Sequence, residues 1–112
     1  MITQDSIRDL VALYLGGADA RDPLASPNLA DLAGLPPMLI QVGSDEVLLD
    51  DSRDLAKRAR AAGCDVELEV SEGMIHVWHA FYQMLAEGEE AIERMGAYLS
   101  ARWTTAEKAA AI

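Results

Sequence analysis

The chain has 112 residues, with 19 acidic against 9 basic side chains and a formal net charge of −10. This length fits one domain, or part of one, with a single modest core. The negative charge argues against nucleic-acid binding, because it repels phosphate backbones. Cys64 is the only cysteine, which excludes an internal disulfide and a cysteine-rich zinc site and fits a cytoplasmic location. No apolar run approaches the roughly 18 residues needed to span a membrane.

The first predicted element is an amphipathic helix over residues 4–15. Its apolar side chains recur at helical spacing, at Ile7, Leu10, Val11 and Tyr14. Thr3 is a suitable N-cap, and Gly16-Gly17 is a helix stop. A long connection with four prolines follows over residues 16–37, and a short helical turn is expected after Pro27.

A strand, a helix and a second strand are predicted next. Residues 38–42 form a nearly continuous apolar run ending at Gly43, which is typical of a strand buried on both faces. Residues 50–62 carry Ala and Leu on one side and predict a helix. Clean alternation over residues 66–70 predicts a strand with one wet face near a sheet edge. A right-handed crossover would make the two strands parallel.

The remaining sequence predicts helices. A short helix is expected from Trp78, then a break near Glu87-Gly88 and a helix over residues 89–102, with residues 104–112 as a frayed tail. The fold class is therefore α/β: a helix, a long loop, then β-α-β-α with two parallel strands. Two strands are too few for an independent parallel sheet, so the chain is expected to be part of a larger domain.

Two chemically useful side chains follow the predicted strands. Asp45 comes after the first strand and His76 after the second. Carboxyl ends of parallel strands share one rim, where an aspartate can accept the Nδ1 proton of an imidazole and stabilise its charged form. The alternative is that Asp45 caps the next helix and His76 packs in a loop. Spacing alone favours that alternative.

Longer sequence motifs favour the catalytic interpretation of Asp45 and His76. Residues 34–52 and 73–81 closely resemble the α/β-hydrolase fold-3 family, the esterases and lipases of the bacterial hormone-sensitive-lipase type. Residues 22–27 are similar to the segment before that family's penultimate core strand. The resemblance implies that residues 1–103 are the C-terminal portion of an α/β-hydrolase domain, about a third of the family's catalytic domain.

The same resemblance implies a catalytic role for two residues. Asp45 matches the acid and His76 the base of a Ser-Asp-His triad, in the family's chain order. Glu46 stands where many members have a proline after the acid. The implied substrates are short- to medium-chain acyl esters, with no cofactor.

The nucleophile of such a triad is missing from these residues. The sequence contains no Gly-x-Ser-x-Gly elbow and no His-Gly-Gly-Gly oxyanion segment. Ser71 comes nearest, but Glu69 occupies the first glycine position and no helix follows directly. We therefore expect this chain alone to be inactive as a serine esterase.

Other functions compete with this one. His76 and His79 are spaced for a shared metal, but no third ligand is fixed by the sequence, so no metal site is expected. The main rival is a non-catalytic module that forms a homodimer through residues 66–70 and 89–102, or pairs with an N-terminal fragment. A small stand-alone α/β binding protein is a third alternative.

Overall fold

The computed structural model describes residues 3–103, 107 and 110. The chain forms two compact units, residues 1–76 and 77–112. The first contains, in order, helix α1 (Gln4–Leu15), a short 3-10 helix (Pro27–Leu29), strand β1 (Met38–Gly43), helix α2 (Leu49–Ala61) and strand β2 (Val66–Ser71). The second contains a 3-10 helix (Trp78–Phe81) and helix α3 (Ala86–Arg102). Within these described residues, no helix combines the length and apolarity that crossing a bilayer requires.

Helix α1 has the predicted bounds. The Thr3 hydroxyl accepts from the Ser6 backbone N–H while the Ser6 hydroxyl oxygen accepts from the Thr3 N–H, which forms a capping box. Gly16 ends the helix in the left-handed conformation, with φ of 54°. No residue of the helix is buried; Ile7 and Leu15 are half-buried, and its other large apolar side chains are exposed, Leu13 to 81%.

Strands β1 and β2 pair in parallel, as predicted, with Met38 opposite Val66 and Gly43 opposite Ser71. Among the described residues the sheet has these two strands only. Helix α2 contributes to a core with the sheet, whose buried members are Leu32, Ala56, Ala59, Cys64 and Val66. Only Val42 and Gly43 of β1 are fully buried, so the prediction of burial along both faces of the whole strand was too strong.

The outer edge of β2 is partly covered by an arginine. Met38 N–H donates to Asp65 C=O and Ser44 N–H to Ser71 C=O, so the carbonyls of odd-numbered residues point toward β1. The carbonyl of Val66 therefore lies on the outer edge. Arg60 reaches it with two donors, Nε at 3.1 Å and Nη2 at 2.9 Å.

The second unit is organised around Trp78, which is buried and whose Nε1–H donates to the Glu87 carbonyl at 3.1 Å. Helix α3 begins at Ala86, so the predicted break at Glu87-Gly88 is wrong. Gly88 is a buried contact point instead: a Cβ there would lie 3.0 Å from both the Trp78 carbonyl oxygen and Tyr82 Cα. The predicted frayed tail over residues 104–112 lies outside the described residues, apart from 107 and 110.

Gly88→Ala is expected to destabilise the chain by about 1 kcal/mol. Alanine normally stabilises a helix interior by about 1 kcal/mol over glycine, but here the added methyl must displace backbone, which typically costs about 1–3 kcal/mol. Gly96 lies in the same helix, and a methyl group added there would meet no atom within 4 Å, so Gly96→Ala should be stabilising. Urea unfolding of both variants measures the difference, and equal stabilisation would contradict the close approach.

Candidate active site

Two loops meet at the carboxyl ends of the strands. The acid loop, residues 43–46, begins at the last residue of β1, and the histidine loop, residues 71–76, begins at the last residue of β2. Ser44 N–H donates to Ser71 C=O at 2.9 Å, and Asp45 N–H donates to Met74 C=O at 3.1 Å. Gly43 allows this approach, since a Cβ there would overlap the Met74 carbonyl. The parallel pairing thus brings the two loops together as predicted.

The structure pairs His76 with Glu46. Nδ1 of His76 lies 3.0 Å from Glu46 Oε1. The other carboxylate oxygen, Oε2, accepts from the Gly43 backbone N–H at 2.8 Å. The Glu46 side chain is only 5% exposed and that of His76 is 40% exposed. The nearly buried Glu46 carboxylate is thus held by the backbone at Oε2, and its Oε1 contacts the partly exposed imidazole of His76.

Asp45, the acid that the resemblance implies, makes a different contact. Its side chain is exposed and its Oδ1 accepts from the Ser44 hydroxyl at 3.1 Å. No hydrogen bond joins Asp45 to His76 among residues 3–76. The reason is geometric: the Asp45 backbone is held by Met74, whereas the longer Glu46 side chain folds back over the end of β1. Sequence reasoning missed Glu46 as a partner because two adjacent carboxylates follow the same strand.

This pairing fixes the chemistry open to His76. When the Glu46 carboxylate is ionised and His76 is neutral, Nδ1 donates its proton to the carboxylate and Nε2 keeps a lone pair. Nε2 makes no hydrogen bond within residues 3–76. No serine of that unit is bonded to it either, and the Ser44 hydroxyl donates to Asp45. In the described part of this unit the Nε2 side of the imidazole is thus unbonded, with no serine hydroxyl attached to it.

The residues just after His76 have their own geometry. Val77 has φ of +55°, which is strained for a β-branched residue. The His79 ring lies against the Trp78 ring, with centroids 4.0 Å apart. Within the described part of the chain, no three His, Cys, Asp or Glu side chains are grouped to hold a metal.

Comparison with known proteins identifies the family. Residues 1–80 match the family described as alpha/beta hydrolase fold. The chain belongs to this family. An acetyl-hydrolase of Streptomyces hygroscopicus is 53% identical to this hydrolase-family chain over 93 residues, which are 83% of the chain and 31% of that protein. An esterase of Acinetobacter venetianus is 41% identical over 71 residues, 63% of the chain and 23% of that protein.

Solved structures agree with this assignment. The crystal structure of EstE5 soaked by p-nitrophenyl butyrate superposes with a TM-score of 0.88 at 53% identity, over 90% of the hydrolase-family chain and 34% of EstE5. An esterase from the bacterial hormone-sensitive lipase family gives 0.89 at 50% identity, over 92% of the chain and 35% of that protein. The predicted resemblance and fold class are confirmed, and the chain spans about a third of the length of these relatives.

Proposed function

We propose that this chain supplies the acid and base of a carboxylic-ester hydrolase, with His76 as the base and Glu46 as the carboxylate that orients it. The hydrogen bond between His76 Nδ1 and Glu46 Oε1 carries the proposal. This assignment moves the acid role from Asp45 to the next residue. The hydrolase and esterase names of the relatives support an ester as substrate.

In this reaction Nε2 of His76 takes the proton of a serine hydroxyl as that oxygen attacks the ester carbonyl. Glu46 stabilises the imidazolium that forms, because its carboxylate already accepts the Nδ1–H. The imidazolium then protonates the leaving alcohol. His76 next takes a proton from water, which attacks the acyl-serine, and returns it to the serine as the acid leaves.

The serine and the oxyanion donors come, in this proposal, from residues outside these 112. The chain has no elbow serine in its sequence, and the proposed assignment makes it the C-terminal portion of the domain. Removing the nucleophile of a triad typically costs about 10⁶-fold in turnover. The chain alone should therefore not hydrolyse esters by this route.

A chimaera tests the proposal. It is the Streptomyces hygroscopicus acetyl-hydrolase with this chain in place of the segment to which it is 53% identical. We expect the chimaera to hydrolyse p-nitrophenyl butyrate, and we expect neither its His76→Ala variant nor the chain alone to do so. Circular dichroism and gel filtration check that both chimaeras fold. Equal hydrolysis by a folded His76→Ala chimaera would overturn the proposal.

The substrates proposed are short acyl esters. One relative is named an acetyl-hydrolase, and EstE5 was soaked by a butyrate ester. Rates of the chimaera on acetate, butyrate and longer p-nitrophenyl esters would define the range of acyl-chain lengths.

Self-association through residues 66–70 and 89–102, or pairing with an N-terminal fragment, stays a prediction. Sedimentation velocity at several concentrations tests it.

A further inference from the structure

We propose that Ser44 is a positioning residue that clamps the histidine loop to the acid loop and so holds His76 against Glu46. The proposal rests on the proposed function only for the meaning of the His76–Glu46 pair; the clamp itself is a matter of loop geometry. It also gives the exposed Asp45 a part in the site.

The Ser44 hydroxyl connects both loops at once. Its Oγ accepts from the Gly73 backbone N–H at 2.7 Å and donates to Asp45 Oδ1 at 3.1 Å. Because the hydroxyl proton is directed at Asp45, an oxygen lone pair is free to face Gly73. Asp45 thereby fixes the orientation of the hydroxyl, and Ser44 fixes the middle of the histidine loop.

Apart from the His76–Glu46 bond itself, the Gly73 bond is the one hydrogen bond described between the loops that depends on a side chain. The other two hydrogen bonds, from Ser44 N–H to Ser71 C=O and from Asp45 N–H to Met74 C=O, join backbone groups that every residue except proline carries. Both would survive a substitution at position 44. The bond to Gly73 requires a short side chain with an acceptor oxygen, and the bond to Asp45 requires a proton; a hydroxyl group, as in Ser or Thr, supplies both.

The middle of the histidine loop, around Gly73, has few other interactions that would hold it in place. Gly73 is exposed, has φ of +71° and, apart from its chain neighbours, has no atom within 4 Å of where a side chain would begin, so no side-chain packing at this residue fixes its position. His76 follows three residues later with a partly exposed side chain. Loss of the Gly73 bond would therefore let this loop sample positions away from the nearly buried Glu46.

The test uses the 112-residue chain itself and two signals in nuclear magnetic resonance. The first is the hydrogen-exchange rate of the Gly73 amide. The second is the ring Nδ1 resonance of His76, which reports its hydrogen bond to Glu46. In Ser44→Ala we expect Gly73 to exchange about three- to tenfold faster, the factor that corresponds to one hydrogen bond. We also expect the His76 resonance to move toward that of a free imidazole.

Two variants separate the clamp from general loss of stability. Ser44→Thr keeps the hydroxyl and should restore both signals. Ser71→Ala makes the same chemical change at the start of the same loop, where the side chain makes no hydrogen bond to the described residues, and should leave both signals unchanged. If Ser44→Ala does not fold, Asp45→Ala, which only releases the hydroxyl, should shift both signals in the same direction.

The outcomes are distinct. A faster Gly73 exchange with an unchanged His76 resonance would overturn the proposal, because the bond would then be local to the loop. Equal shifts in Ser71→Ala would also overturn it. Neither signal involves hydrolysis, so an inactive chimaera with the expected shifts refutes the proposed function alone. An active, His76-dependent chimaera without those shifts refutes the clamp alone.

Discussion

We expect Glu46→Gln to lower kcat of the chimaera on p-nitrophenyl butyrate by about 10⁴-fold. The amide is nearly the same size but carries no charge, so it cannot stabilise the imidazolium. If its NH₂ group faces Nδ1, it also forces the proton onto Nε2, which is the wrong tautomer for a base. The buried position of the Glu46 side chain leaves little water to replace the lost charge.

The matched control is Asp45→Asn, the same chemical change one residue earlier. Asp45 is exposed and its Oδ1 accepts from Ser44, and asparagine keeps that acceptor. We expect kcat to change by no more than about threefold, as for other surface substitutions. A large loss in Asp45→Asn with little loss in Glu46→Gln would return the acid role to Asp45. Steady-state kcat and KM, measured for both variants at one pH, decide between the two carboxylates.

The second large effect is expected at the junction of the two loops. Gly43→Ala places a methyl group against the Met74 carbonyl oxygen and carbon, with the Ile75 carbonyl oxygen 3.1 Å away. These are backbone atoms, so the histidine loop itself must move. Overpacking of this kind typically costs about 1–3 kcal/mol and occasionally more, and we expect Gly43→Ala at the upper end.

Urea unfolding of the 112-residue chain measures this loss as a lower midpoint. In the chimaera, Gly43→Ala should also reduce hydrolysis, because Met74 and His76 belong to the same loop and the Gly43 N–H holds Glu46 Oε2. An unchanged midpoint would show that the loops do not meet as closely as described. The Ser71→Ala variant serves as a neighbouring substitution that leaves the junction intact.

Features of the fold that are determined by residues close together in the sequence were predictable. The bounds of α1 and its Thr3 cap follow from helical spacing and capping chemistry within a few residues. The parallel pairing of β1 and β2 follows from the apolar run, the intervening helix and the alternating strand. The pairing in turn places His76 near the acid loop.

Features that depend on tertiary geometry were not predictable in the same way. Asp45 and Glu46 follow β1 by two and three residues, and only the path of the backbone decides which of them reaches His76. Gly88 resembles a helix breaker in sequence, yet in the structure it is where α3 meets the Trp78 backbone. The spacing of α1 predicted an amphipathic helix, whereas Leu10 and Tyr14 of its apolar stripe are 64% and 76% exposed, because periodicity does not identify what covers a helix.

The hydrogen bonds of Arg60 affect how readily another chain can add a strand to the edge of β2. An open strand edge is a template for adding another chain, and the added strand pairs with the free N–H and C=O groups that the edge presents. At Val66 that acceptor is already shared by two guanidinium donors, so an incoming strand must displace Arg60 or start farther along. Adding a strand at this end of β2 would therefore cost the two Arg60 hydrogen bonds as well as the ordering of the new strand.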